Sequence, residues 1–292
     1  MPSEQRKQDE NGHEGFASGP QGDKPMAFLD HVGELRGRLI RMVLGIAVGF
    51  FACFSFAKQI SNFLRVPLDV AWAAAGFEGV PELQALQIQD PLMVDVRVAA
   101  MAGTFVTAPW LFFQLWMFIA PGLYAKEKRF AIPFVLASVF MFTLGAAFAY
   151  EVVLPFIYEW MFEYSKGRGE SIQPEVNNYF KGTTRVLLAF GLVFEFPMLV
   201  AFLAKVGLIT EKVLIRFWKI AVLVMFIVAG ILTPPEPISQ LLMAGPMVVL
   251  YFISIGVAWM INPSSKIEAA LAEFDDDDPD EPDDPDEPDD PD

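Results

Sequence analysis

The sequence predicts an all-α, polytopic integral membrane protein with six transmembrane helices, and two observations lead to this fold class. First, 54% of the 292 residues are hydrophobic, and the long polar segments are confined to the two ends of the chain. Second, the middle of the chain holds repeated apolar runs of about the length that a helix needs to cross a bilayer. A water-soluble fold is therefore excluded.

Six apolar runs define the predicted spans in chain order. They cover residues 39–56, 91–113, 130–150, 183–205, 218–232 and 239–260. At 1.5 Å per residue the fifth run is only about 22 Å long, whereas the hydrocarbon core of a bilayer is about 30 Å thick. The sequence therefore predicts a short fifth span, with local thinning of the bilayer around it.

Lysine and arginine residues near the ends of the runs predict the orientation. Six cations lie on one side, in two longer segments that also carry many acidic residues, and eleven lie on the other side, mostly in short segments. The eleven are Arg36, Arg38, Arg41, Lys126, Lys128, Arg129, Lys205, Lys212, Arg216, Lys219 and Lys266. By the positive-inside rule the side with eleven cations is cytoplasmic, and six spans place both termini there.

The net charge of −15 comes mainly from the C-terminal end of the chain. Residues 275–292 contain 13 acidic residues and no Lys or Arg, which leaves 23 acidic against 21 basic side chains elsewhere. We therefore divide the chain into a polar N-terminal leader at 1–26, a six-span membrane domain at 27–262, and an acidic Asp/Pro-rich tail at 263–292. The leader lacks the apolar core of a cleaved signal peptide, and the tail is expected to be disordered.

The two outer segments and three prolines shape the predicted bundle. Residues 57–90 and 151–182 alternate apolar and polar positions around several prolines, which is typical of short amphipathic helices on the membrane surface. Pro109, Pro197 and Pro246 lie within the second, fourth and sixth spans, where proline is tolerated and is expected to mark kinks.

The segment before the first span carries the first candidate site residue. An apolar stripe at helical spacing faces away from Asp30, Glu34, Arg38 and Arg41, so residues 28–41 are predicted to form an amphipathic helix that enters the span. Glu34 and Arg38 stand four residues apart. They could form an exposed intrahelical ion pair of small energy, or Glu34 could bind a ligand.

The segment after the second span carries another acidic candidate. Glu127 lies among Lys126, Lys128 and Arg129, just beyond the helix-breaking pair Pro121 and Gly122. It could be a solvated loop acid neutralised by its neighbours, or it could take part in binding.

Charged residues within the spans are the remaining candidates. Glu195 lies near the middle of the fourth span, where an ionised side chain costs roughly 2.5–3.5 kcal/mol on insertion scales. It could be a neutral, hydrogen-bonded acid in a helix contact, or part of a functional polar patch. Arg97 and Asp95, near the outer end of the second span, are expected to reach the interface by snorkelling.

Four motifs in register resemble the TatC family of the twin-arginine protein translocase, over about residues 28–260. They are Glu34-Leu35-Arg36-x-Arg38-Leu39, Phe118-Ile119-Ala120-Pro121-x-Leu123-Tyr124-x-x-Glu127-x-Arg129, Phe194-Glu195-x-Pro197 and Leu232-Thr233-Pro234-Pro235. The resemblance implies a cup-shaped bundle in the bacterial cytoplasmic (inner) membrane. It further implies a receptor that binds twin-arginine signal peptides of folded precursor proteins at its cytoplasmic face and exports these proteins with the proton-motive force.

The resemblance also implies which residues do this. Glu34 and Glu127 would receive the paired arginines, since guanidinium groups pair bidentately with carboxylates and lysine does not. The implied signal-peptide site comprises Glu34, Leu35, Arg36, Arg38, Phe118, Tyr124 and Glu127. Gly37 replaces a basic residue that is frequent in the family between Arg36 and Arg38.

Implied partners are TatA/TatB-type single-span membrane subunits, further copies of the chain in a multimeric receptor complex, and membrane lipid. The single-span subunits would dock at the tight turn between the fifth and sixth spans, through Thr233, Glu236 and Gln240. Glu236 stands where the family commonly has aspartate, and Pro237 is a further departure.

Two other functions are compatible with the residues alone. A proton-coupled secondary transporter of a small solute would use Glu195 as its proton site, and a membrane anchor would use the acidic tail to bind a basic partner. An enzyme is not predicted, because no nucleophile and base constellation, phosphate-binding glycine loop or metal-ligand cluster occurs in the sequence. No cofactor and no nucleic-acid partner are expected.

Overall fold

The computed structural model describes residues 28–119, 131–169, 173–232 and 237–261. Regular structure in these residues is helical, apart from one isolated β-bridge between Gln84 and Glu175. The α-helices in chain order are α1 (Phe28–Phe54), α2 (Ala57–Ala74), α3 (Asp90–Ile119), α4 (Ala131–Phe148), α5 (Leu154–Gly167), α6 (Val176–Phe194), α7 (Phe196–Lys205), α8 (Glu211–Leu232) and α9 (Pro237–Ile261).

The six predicted spans are confirmed. Within the described residues, six helical segments are long and apolar enough to cross a membrane: α1, α3, α4 with α5, α6 with α7, α8, and α9. The helix of the fifth span is longer than its apolar run, because α8 has 22 residues and is therefore about 33 Å long. Its first turns are polar but helical from Glu211 onward, so hydropathy underestimated the length of the helix. The short apolar length and the local thinning of the bilayer stay predictions, since the added turns carry Glu211, Lys212 and Arg216.

Helices α1 and α3 pack against each other in an antiparallel arrangement. A Cβ atom on Gly103 would lie 2.6 Å from the backbone nitrogen of Phe50, and one on Gly49 would lie 2.7 Å from the Gly103 carbonyl oxygen. The two backbones therefore approach more closely than any larger residue would allow. About two turns further along α3, the Trp110 indole N–H donates to the Arg41 carbonyl oxygen of α1 at 3.3 Å.

The antiparallel packing defines two ends of the bundle. The beginning of α1 lies beside the end of α3, since Arg38 contacts Gln114, and we call this end the Glu34 face. Helix α2 and the segment between α2 and α3 lie at the other end, which we call the opposite face.

Helix α2 closes the opposite face and confirms the amphipathic helix predicted for residues 57–90. Its buried residues, among them Leu64 and Leu68, recur at helical spacing on one side. The Tyr179 hydroxyl of α6 donates to the Leu64 carbonyl oxygen at 2.6 Å. The Lys166 ammonium of α5 donates to the Ala75 carbonyl oxygen at 2.9 Å, where it caps the end of α2.

The second outer segment differs from the prediction. The third span does not end near Tyr150 but continues through a π-helical turn at Ala149–Val153 into α5. Likewise, α6 begins at Val176, which is seven residues before the start of the predicted fourth span. Both extensions are polar on one side only, and their other sides are buried at Ile157 and Phe180. The packing of these buried sides therefore keeps the chain helical beyond the apolar run of each span.

The fourth span is interrupted at Glu195, between α6 and α7. Pro197 has no backbone N–H to continue the helical ladder, and the Glu195 N–H bonds to the Leu192 carbonyl oxygen at 3.1 Å. The kink predicted at Pro197 is thus confirmed, whereas Pro109 and Pro246 lie inside α3 and α9 without interrupting either helix.

Candidate functional site

The Glu34 face holds an acidic residue in contact with a guanidinium group. The Arg38 Nε donates to Glu34 Oε1 at 2.9 Å, and the Arg38 Nη2 lies 2.5 Å from the same oxygen. The two side chains are 13% and 27% exposed, respectively. The intrahelical ion pair considered from the sequence is therefore present, and its carboxylate remains open to solvent.

Helix α3 supports this pair from the side. Gln114 is buried, and its Oε1 accepts a 3.5 Å hydrogen bond from Arg38 Nη1. Phe118 follows one turn later on the same helix and is half-buried. The structure therefore brings Glu34, Arg38 and the end of α3 to one face of the bundle.

The other predicted signal-peptide residues divide into two groups. Leu35 and Arg36 are exposed on α1, next to Glu34. Tyr124 and Glu127 lie outside the described residues, so the predicted meeting of Glu34 with Glu127 stays a prediction.

Glu195 lies at the wall of a large cavity of about 550 Å³. Five helices, α3, α6, α7, α8 and α9, line it, and its described lining is apolar except for Glu195. The lining includes Phe112, Leu115, Leu192, Leu199, Val224 and Met247. The cavity therefore offers an apolar concave surface with one carboxyl group at its edge.

The Glu195 carboxyl group is only partly satisfied by its surroundings. Ser138 and the backbone of Phe142, both on α4, lie beside it. Its Oε1 atom is buried and has no hydrogen-bond partner among the described residues. A buried unpaired oxygen is costly unless it receives a ligand, a proton or water, so Glu195 is the polar position of this cavity at which such a partner is expected.

A buried hydrogen bond leads from α3 to the Glu195 region. The Trp116 indole N–H donates to Ser138 Oγ at 3.0 Å, and the Trp116 ring packs against Phe134 and Phe202. Sequence reasoning missed both Trp116 and Ser138 as neighbours of Glu195. Serine at one small position of an apolar helix was the available signal, because such residues commonly bond across helices in membranes.

Gln240 is the described member of the predicted docking turn, since Thr233 and Glu236 lie outside the described residues. The Gln240 Nε2 donates to the Phe226 carbonyl oxygen on α8 at 2.8 Å. It also fills the space next to Gly230, where an added Cβ would lie 3.1 Å from it. Gln240 thus joins α8 to α9, and its amide is already engaged within the chain.

Arg97 has a partner that the sequence did not reveal. Its Nη1 atom donates to both the backbone oxygen and Oδ1 of Asn177 on α6, at 3.1 Å and 2.7 Å. The prediction that Arg97 only snorkels to the interface is therefore incomplete. No ion pair joins Arg97 to Asp95 in the described part of the chain.

Comparison with known proteins agrees with this architecture. The family model described as "Sec-independent protein translocase protein (TatC)" matches residues 30–246. The chain is 42% identical to the Sec-independent protein translocase protein TatC of Helicobacter pylori (strain J99) over 236 residues, which cover 81% of this chain and 90% of that protein. It is 38% identical to TatC of Campylobacter jejuni, covering 81% of this chain and 95% of that protein.

A solved structure is similar to the whole bundle. The crystal structure of the twin-arginine translocase receptor TatC superimposes with a TM-score of 0.72 at 32% sequence identity, and the match covers 79% of this chain and 99% of that one. The family model matches well over half of the chain, and the relatives exceed 30% identity along most of their own length. On these grounds the chain belongs to the TatC family of Sec-independent protein translocase proteins.

Proposed function

We propose that this multi-pass membrane protein is the core receptor subunit of its twin-arginine translocase and binds twin-arginine signal peptides of folded precursors at the Glu34 face. In this proposal the Glu34 face is cytoplasmic, both termini lie inside, and the membrane is the bacterial cytoplasmic (inner) membrane. The excess of cations near the ends of α1, α3, α7 and α8 supports this orientation.

The observation that carries the proposal is the pairing of Glu34 with a guanidinium group. Arg38 presents two nitrogen atoms, Nε and Nη2, to one oxygen of the Glu34 carboxylate. The site thus already accommodates an arginine fork at an accessible surface. An arriving peptide arginine would use the solvent-facing side of the same carboxylate, or replace Arg38.

The second arginine of the motif would be received by Glu127. Glu127 follows Ile119, the last residue of α3, by eight positions, and eight extended residues reach about 28 Å at most. The end of α3 lies at the Glu34 face, because Gln114 contacts Arg38 there. This supports a site in which one short peptide contacts both carboxylates.

Apolar side chains beside the carboxylate suit the rest of a signal peptide. Leu35 is 43% exposed on α1, and Phe118 is half-buried at the end of α3. In this proposal they contact the hydrophobic residues that follow the arginines, while Arg36 orients Glu34. Tyr124 would complete the site from the segment after α3.

Assembly and energy supply complete the proposal. TatA/TatB-type single-span subunits would dock at the turn that contains Thr233, Glu236 and Gln240, several copies of the receptor would associate, and the proton-motive force would drive export. The protein acts as a receptor and not as an enzyme. A solute carrier is less well supported, because the described cavity lining offers a solute no polar contact besides Glu195.

Site-specific photocrosslinking in inner-membrane vesicles tests the peptide site. A twin-arginine precursor carrying a photoreactive residue next to its arginine pair should crosslink to the wild-type protein. Crosslinking should be lost in Glu34→Ala, in Glu127→Ala, and with a precursor whose arginines are both lysine. Glu78→Ala is the matched control, since Glu78 is an exposed acid at the opposite face.

Undiminished crosslinking to the Glu34→Ala/Glu127→Ala protein would refute the proposed site. An equal loss of crosslinking in Glu78→Ala would show that the loss follows from the change in overall charge and not from removal of a specific contact. The orientation is tested separately by cysteine labelling: Gly33→Cys should react only from the cytoplasmic side and Glu78→Cys only from the other.

A further inference from the structure

Three cations lie in the first three turns of α3 and α6, in the halves of these helices nearest the opposite face. Arg97 lies seven residues into α3, whereas Lys181 and Arg185 lie five and nine residues into α6. We call Arg97, Lys181 and Arg185 the outer basic cluster. Asn177, Lys181 and Arg185 are spaced four apart and therefore share one side of α6, and Asn177 is the residue that Arg97 contacts.

Arg97 is held in place but keeps donors free. Both of its hydrogen bonds to Asn177 use the same nitrogen, Nη1. Its Nε and Nη2 have no partner among the described residues, and a guanidinium fork of this kind matches two oxygens of a phosphate group. Lys181 and Arg185 are exposed on the side of α6 that Asn177 begins, and their side chains have no hydrogen-bond or ion-pair partner in the part of the chain that the structure describes.

Carboxylates do not neutralise the cluster. The ion pairs among the described residues are Arg38 with Glu34 and Arg65 with Asp69. The acids nearest in sequence are Asp95, which lies about 200° around α3 from Arg97, and Glu175, which keeps its charge while its carboxylate accepts a hydrogen bond from Asn178. The three cations outnumber these two carboxylates, so a net positive charge remains.

The position of the cluster within spanning helices selects the chemistry of its partner. All three residues belong to segments long and apolar enough to span a bilayer. A cation left in hydrocarbon is costly, so the side chains must extend to the headgroup level, where phosphate is the abundant anion.

The same side of α6 continues from the cluster to the large cavity. Leu188 follows Arg185 by three residues, and Leu192 follows Leu188 by four, so all three lie on one side of α6. Leu192 is 64% exposed and lines the cavity beside Glu195. Lys181 and Leu192 are eleven residues apart, about 16 Å along the helix. A molecule with an anionic head and an apolar chain could contact the outer basic cluster with its head and the apolar cavity with its chain.

We propose that the outer basic cluster binds the phosphate of a phospholipid in the leaflet at the opposite face, with an acyl chain running along Leu188 and Leu192 into the 550 Å³ cavity. The lipid would occupy the concave apolar surface until another molecule displaces it. This inference does not depend on the signal-peptide site, because its three cations lie at the opposite face and no predicted signal-peptide residue is among those that line the cavity.

Native mass spectrometry of the full-length protein in detergent tests the inference, with phosphatidylglycerol as the probe. Each lost cation should weaken lipid binding about five-fold, so Lys181→Gln/Arg185→Gln should weaken it about 25-fold. Lys58→Gln, an exposed lysine of α2 at the same face, should bind the lipid as the wild type does. Thermal unfolding in detergent should be unchanged in all these variants, since the replaced side chains are exposed and unpaired.

Two further measurements separate a lipid from a free phosphate and locate the acyl chain. Diacylglycerol with the same chains should not bind, and inorganic phosphate should not compete at concentrations where phosphatidylglycerol saturates. A phosphatidylglycerol with a photoreactive acyl chain should label Leu192 or its cavity neighbours. Wild-type affinity in the double variant, equal loss in Lys58→Gln, full competition by inorganic phosphate, or labelling confined to α1 would each overturn the proposal.

Discussion

Arg38 and Glu34 lie one turn apart on α1, and the Arg38 Nε donates to Glu34 Oε1 at 2.9 Å. Arg38 also reaches Gln114 on α3, so the pair connects two helices. The Glu34 side chain is 27% exposed, whereas that of Arg38 is 13% exposed. A peptide arginine could therefore approach the exposed part of the Glu34 carboxylate with Arg38 in place, and the contact with Arg38 does not oppose the proposed receptor site.

Replacing Glu34 separates a binding role from a structural one. We expect Glu34→Gln to change the free energy of unfolding by about 1 kcal/mol, because the amide oxygen of glutamine can still accept the hydrogen bonds from Arg38. Binding of a twin-arginine peptide should fall at least about ten-fold, since a neutral amide loses the charge-assisted contact. Thermal unfolding and peptide titration of the same preparation measure the two effects.

The chain offers a matched control in Asp69. Arg65 and Asp69 form an ion pair of the same spacing on α2, with an N–O distance of 3.3 Å, at the opposite face. Asp69→Asn should leave peptide binding unchanged. If Glu34→Gln and Asp69→Asn behave alike in both measurements, Glu34 has no special role.

The close approach of α1 and α3 should make Gly103 intolerant of any side chain. We expect Gly103→Ala to destabilise the protein by about 1–3 kcal/mol, because the added Cβ would lie 2.6 Å from a backbone nitrogen of α1. Gly245→Ala on α9 is the control, since no atom lies within 4 Å of its added Cβ. Similar unfolding temperatures for the two variants in detergent would contradict the described helix contact.

The bond between Trp116 and Ser138 can be measured by a double-mutant cycle. Ser138→Ala should cost about 1–2 kcal/mol, because the buried indole N–H would lose its acceptor. Trp116→Phe should cost a similar or larger amount through lost packing. In the double variant the two substitutions together should cost about 1 kcal/mol less than the sum of their separate costs. Strict additivity of the unfolding free energies would show that the bond is not formed.

Gln240 requires a test that distinguishes docking from internal support. Gln240→Ala should destabilise the contact of α8 with α9 by about 0.5–1.5 kcal/mol, since it removes the bond to the Phe226 carbonyl oxygen. Hydrogen exchange of α8 amides should accelerate in the absence of any partner subunit. If exchange is unchanged and only crosslinking to a single-span subunit is lost, Gln240 acts in docking alone.

Hydropathy predicted the number and order of the spans, because each must satisfy its own backbone hydrogen bonds and present an apolar surface to lipid. It did not predict where the helices end. The first turns of α6 and α8 and the continuation of the third span into α5 are polar, and they are helical because their other sides pack on neighbouring elements. Such contacts are between residues far apart in the chain and leave no local signal.

The candidate site could be predicted to the same extent. Helical spacing alone indicated the pairing of Glu34 with Arg38, and the structure confirms it. The hydrogen bond from Arg38 to Gln114 could not be predicted, since the two residues are 76 positions apart. The link from Trp116 to Ser138 was equally hidden, because either residue taken alone is ordinary in an apolar helix.

By itself the sequence determined that the protein crosses the membrane six times, that its cations concentrate at one set of helix ends, and that it belongs among TatC proteins. Local hydrophobicity and charge express the spans and the distribution of cations directly, and four short motifs in register carry the family resemblance. Only the tertiary structure decided that Glu195 borders a large apolar cavity and that Arg97 reaches Asn177, on the side of α6 that carries Lys181 and Arg185. The physical reason is that cavities and charge clusters arise from the packing of helices distant in sequence, which no single segment encodes.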